Sequence, residues 1–113
     1  MSRVYKIIAH EAWARACAAG RFEGAAIDLQ DGYIHLSTGA QAQDTARLHF
    51  RGQVGLAVVA FDAEAFGAAL KWEPSRGGQL FPHVYGPIDT ALALSVTDAP
   101  LDGDGAPRIG PLP

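Results

Sequence analysis

The chain has 113 residues, 49% of them hydrophobic and 19% charged, a balance that suits one globular core and leaves no room for a second. Its formal net charge is -3, and its arginines (Arg3, Arg15, Arg21, Arg47, Arg51, Arg76 and Arg108) are scattered. A broad nucleic-acid surface is excluded on that ground, because phosphate backbones demand clustered Lys and Arg.

Val4 to Ala9 alternates β-branched and aromatic residues and predicts a first strand. His10 to Ala19 follows as a helix with Ala12, Trp13, Ala16 and Cys17 on one face, stopped by Gly20. Cys17 is expected to be a buried, inert thiol. Arg21 to Gly32 reads as a loop, and Tyr33 to Ser37 as a short strand. Ser37 or Thr38 then caps a helix from about Ala40 to Phe50, with Ala42, Thr45, Ala46, His49 and Phe50 facing inward and Gly52 breaking it. Gly55 to Phe61 is the most apolar run and predicts a central strand buried on both faces. A short helical turn from Asp62 to Ala69, an extended run from Leu70 to Glu73, and a Pro-Ser-Arg-Gly-Gly loop come next. Leu80 to Tyr85 is extended, and Pro82 places it at an edge or rim. Ala91 to Val96 predicts a last strand. The whole reads as an α+β domain over residues 1–98, with a mixed, mostly antiparallel sheet and two main helices. Residues 99–113 are rich in Pro, Gly and Asp and are expected to be a loosely held tail.

No basic segment leading into an apolar one opens the chain, and no apolar run is long enough to cross a membrane. Cys17, the one cysteine, permits no intrachain disulfide. The expected location is the cytoplasm. Nothing in the sequence points to an oligomeric state.

Three segments carry candidate chemistry. In Asp31 to Thr38, strand alternation puts Tyr33, His35 and Ser37 on one face and Ile34 and Leu36 on the other. The first face is either a ligand strip feeding a helix N-terminus that favours an anion, or a solvated strand face whose Ser37 or Thr38 merely caps the helix. In Lys71 to Pro74, Trp72 is either core or a ligand platform, and Glu73 either a surface ion-pair partner or a general base. In Phe81 to Pro87, His83 and Tyr85 share a face, and His83 is either structural or a proton donor and acceptor. His35, Glu73 and His83 together would suit a metal, but no H-x-x-x-H or C-x-x-C pair exists, and none is expected.

The segments Tyr5-Lys6-Ile7, Asp31 to Thr38, Gln41 with Thr45-Ala46, Trp72-Glu73 and Phe81 to Pro87 resemble a widespread bacterial family known as domain of unknown function 952. The resemblance covers the chain to about Val96. That family is in turn similar to the ADP-ribosyltransferase fold, including the RNA 2′-phosphotransferases. The similarity implies an ADP-ribosyltransferase-like split sheet with a cleft for NAD or an ADP-ribosyl group. The first strand carries Tyr5 and Lys6 where active members carry Arg or His.

Two functions follow. In one, the chain is a nucleotide-handling enzyme: Glu73 and His83 are catalytic, and Tyr33, His35, Ser37, Thr38, Trp72 and Tyr85 bind an NAD-like ligand. In the other, the same cleft binds a nucleotide-like metabolite or a protein without chemistry.

Overall fold

The computed structural model describes residues 2–112. β1 (Arg3–Ala9) and β5 (Leu56–Asp62) form the spine, paired antiparallel from Arg3 opposite Asp62 to Ala9 opposite Leu56. β4 (Ser37–Thr38) flanks β1 and β9 (Ser95–Asp98) flanks β5, giving the order β4-β1-β5-β9. β5 is buried from Leu56 to Phe61, as its unbroken apolar run predicts. Both of its faces are covered. Val59 and Phe61 join Val4 and Ile8 in a core with Trp13 and Phe22. Val58 and Ala60 join Tyr5 and Ile7 in a second core with Ala46 and Ala99.

A second sheet has the order β3-β7-β6, from Ile34–His35, Leu80–Val84 and Leu70–Pro74 respectively. A third pairs β2 (Arg21–Phe22) with β8 (Ile88–Asp89). Among the described residues every strand pairing is antiparallel, so the expected mixed sheet is corrected. The split is real. The expected single strand from Tyr33 to Ser37 is two short strands in different sheets, divided at Leu36. There the Leu36 N–H donates to the Pro82 carbonyl at 3.0 Å. Pro82 has no N–H to return the bond, so the ladder loosens where the chain crosses to β1. Pro82 therefore lies in the central strand of its sheet, not at an edge, and the lost donor faces the point of departure.

α1 (His10–Ala19) ends at Gly20, whose φ of 86° takes the left-handed conformation glycine favours. Only Trp13 and Ala16 of this helix are buried. Cys17 is exposed, which corrects its expected burial: the buried stripe is narrow and the thiol falls on its flank. α2 (Ala26–Asp31) occupies the segment expected to be a loop. The Asp28 side chain accepts the Ala25 N–H at 2.8 Å and pins its start. α3 (Gly39–His49) starts in a reciprocal cap between Thr38 and Gln41 and buries Ala42 and Ala46; His49 is exposed, contrary to expectation.

The expected strand from Ala91 to Val96 is displaced. Asp89 caps a 3-10 turn at Thr90–Leu92, and β9 begins only at Ser95. The expectation of a loose tail is also corrected. Ala99, Ala106 and Pro107 are buried, and the Gln43 side chain donates to the Pro107 carbonyl and accepts the Ile109 N–H. The tail thus closes the second core over α3. Among the described residues no helix is long and apolar enough to cross a membrane.

Candidate functional site

The second sheet positions the candidate residues. Lys71 stands opposite His83 and Glu73 opposite Phe81, while His35 stands opposite His83 on the other side of β7. Directly paired residues share a face, so His35, His83, Phe81, Lys71 and Glu73 project together. Ile34, Val84 and Leu70 project from the other face into the first core.

On the polar face the Glu73 carboxylate accepts from His83 Nδ1 and from the Tyr85 hydroxyl, both at 2.8 Å and both on Oε1. The hydrogen bond from His83, then that from Tyr85, holds the Glu73 carboxyl below its ordinary range. An ionised carboxylate only accepts, so His83 Nδ1 carries the hydrogen. The hydrogen bond to Glu73 pushes the Tyr85 phenol up. Tyr33 stacks on the His83 ring with centroids 4.2 Å apart and leans on His35 at 4.7 Å and Tyr85 at 5.3 Å. Desolvation, then the charges of Asp31 and Glu73, raises the Tyr33 phenol. The His35 and His83 centroids are 5.5 Å apart. His83 is 2% exposed. Among the described residues His83 Nδ1 has a hydrogen-bond partner, Glu73, and Nε2 has none.

His35 is fixed from behind. Its Nδ1 meets Asp28 Oδ1 at 2.7 Å and its Nε2 meets Asp31 Oδ2 at 2.9 Å. Asp28 in turn pairs with the Lys6 ammonium at 2.9 Å, and Lys6 also donates to the His35 carbonyl. Burial alone would raise the Asp28 carboxyl. The His35 hydrogen bond, the Lys6 charge and the His35 and Ala25 amides outweigh it and hold Asp28 well below the usual carboxylate range. Burial lowers the Lys6 ammonium despite Asp28. Lys6, Asp28 and Asp31 did not stand out as site residues in the sequence. One signal existed for Lys6, a lysine flanked by buried strand positions in an apolar run.

The structure gathers Tyr33, His35, Glu73, His83 and Tyr85, and leaves three expected ligand residues elsewhere. Ser37 is buried on β4, sharing a hydrogen bond with Thr45 at 3.2 Å. Thr38 accepts the Gln41 N–H as a helix cap. Trp72 pairs with Pro82 on the opposite face, 43% exposed, because strand alternation turns it away from Glu73. A cavity of about 270 Å³ adjoins the cluster between α2 and the Gly86-Pro87 turn, lined by Glu23, Asp28, Gly32 and Tyr33 among others. His35, Glu73 and His83 do not line it. Among the described residues no three His, Cys, Asp or Glu side chains are arranged to hold a metal ion.

The crystal structure of CC0527 from Caulobacter crescentus is similar to this chain, with 50% identity, a TM-score of 0.92, and coverage of 95% of this chain and 94% of that one. The solution NMR structure of CC0527 is similar at 51% identity and a TM-score of 0.86, covering 96% and 93%. No curated protein matches the chain. A family model described as "Protein of unknown function (DUF952)" matches residues 7–96. With most of its length inside that match, the chain belongs to the DUF952 family.

Proposed function

We propose that the face bearing Tyr33, His35, Glu73, His83 and Tyr85 binds a small nucleotide-like ligand, and that the Glu73–His83 pair exchanges a proton with it. The observation that carries this reading is the double hydrogen bond onto Glu73 Oε1. It orients the His83 ring through Nδ1 and leaves Nε2 uncommitted, the arrangement an imidazole needs for general acid–base work. Among the described residues it also leaves Glu73 Oε2 without a partner, on a side chain that is 33% exposed. An ionised carboxylate there would stabilise a developing positive charge, such as an oxocarbenium. The Tyr33 and Tyr85 rings offer stacking surface for a base or a pyridine ring. The ADP-ribosyltransferase likeness that the sequence motifs imply makes NAD and ADP-ribose the first ligands to try.

A second reading, binding without chemistry, is favoured by one observation: His83 lies under the Tyr33 ring with little surface of its own. A thermal-shift series with NAD, ADP-ribose and nucleotides tests the site. The midpoint rises with NAD or ADP-ribose and does not rise in His83→Ala or His35→Ala. Nicotinamide release over time separates enzyme from binding module. A panel with no midpoint change removes both readings.

A further inference from the structure

We infer that Arg76 and Thr45 form a phosphate subsite at the rim of this face, which gives the proposed ligand its anionic end. The inference rests on the ligand-face reading for its location and on separate atoms for its chemistry. Arg76 sits in a 3-10 turn at Arg76–Gly78, just beyond β6. Its guanidinium lies over the Phe81 ring at 5.0 Å, and Phe81 is the direct ladder partner of Glu73. Arg76 therefore stands next along the same face as the Glu73–His83 pair.

The guanidinium is half-buried and poorly satisfied. Nη1 and Nη2 both point at one neutral oxygen, Thr45 Oγ1, and both at 3.4 Å, the outer limit of a hydrogen bond. Among the described residues no carboxylate lies within ion-pair distance of it, whereas Arg15 and Arg21 each have one and Arg47 has two. A planar fork of donors matches two oxygens of an anion far better than one hydroxyl. The ring contact with Phe81 holds the fork in place before any ligand arrives. Thr45 adds a hydroxyl from α3, oriented by Ser37 Oγ at 3.2 Å. Donors converging from a loop and a helix suit a tetrahedral phosphate better than a flat carboxylate.

Inorganic pyrophosphate, adenosine and ADP-ribose are the probes, titrated into the full chain and followed by NMR at the Arg76 side chain, the Thr45 amide and the His83 ring. Pyrophosphate is expected to shift the Arg76 and Thr45 signals saturably. Arg76→Gln should weaken it at least 10-fold with an unchanged melting temperature, and Arg76→Lys should weaken it less. ADP-ribose should move all three sites and adenosine only His83. Pyrophosphate that leaves Arg76 unmoved, or that binds Arg76→Gln equally well, overturns the subsite even if adenosine shifts His83. Pyrophosphate binding at Arg76 with no response of His83 to any probe keeps the subsite and removes the nucleotide reading.

Discussion

Glu73 and His83 are diagonal neighbours across the β6–β7 ladder, and their 2.8 Å hydrogen bond joins residues whose direct partners are Phe81 and Lys71. Diagonal positions lie about 7–8 Å apart at the backbone, a span a glutamate and an imidazole can close. The bond therefore depends on both side chains sharing one face, and a one-residue slip of β6 would abolish it.

Tyr85 reports on that carboxylate. Its phenol is raised above 10.0, chiefly by its hydrogen bond to Glu73. In Glu73→Gln the negative charge is gone, so Tyr85 ionises at lower pH than in the parent chain. Absorbance titration of tyrosinate, with Tyr85→Phe to assign the transition, checks this. An unchanged curve would mean that the carboxylate does not hold the phenol.

The Lys6–Asp28 pair is buried at both ends, with side chains 6% and 0% exposed. Removing one partner strands the other charge, so Lys6→Met is expected to cost about 3–5 kcal/mol in urea denaturation. The double variant Lys6→Met, Asp28→Asn should lose less than the sum of the two single changes, because the stranded charge is absent.

Asp28 also sets an acid dependence. Its folded carboxyl lies well below the unfolded value of about 3.9. A depressed acid contributes stability that is fully present above the unfolded value and is lost as pH falls from there toward the folded one. Stability should therefore drop between about pH 5 and pH 3, and Asp28→Asn, already weaker at neutral pH, should show a shallower drop. Denaturant midpoints at the two pH values measure it. An equal drop in both chains contradicts the assignment.

Removing residues 99–113 uncovers the second core, since Ala99, Ala106 and Pro107 are buried there and Gln43 loses both tail bonds. The truncated chain should melt several degrees lower, as expected for a loss of about 1–3 kcal/mol in a domain of this size. An unchanged melting temperature would make the tail dispensable.

Much of the architecture was legible because local pattern and burial agree. The run Leu56 to Phe61 is apolar on both faces and lies between two cores. The alternation of His35 with Leu36, and of Glu73 with Trp72, is what brings His35, Glu73 and His83 onto one face. The misses arose where a long-range contact decides. α2 has six residues, too few for a periodic signal, and Asp28 acquires its role from partners brought to it by β1 and β3, Lys6 and His35. The division at Leu36 depends on a missing N–H in Pro82, far along the chain. The tail reads as Pro and Gly, but its order comes from the Gln43 side chain.

The most direct test of the ligand face is NMR of the His35 and His83 imidazole signals during titration with ADP-ribose. The account predicts saturable shifts at both rings, together with the Tyr33 and Tyr85 ring protons, and their loss in Glu73→Gln. Unmoved imidazoles in a folded chain at millimolar ADP-ribose and NAD, or shifts confined to other surfaces, would contradict it.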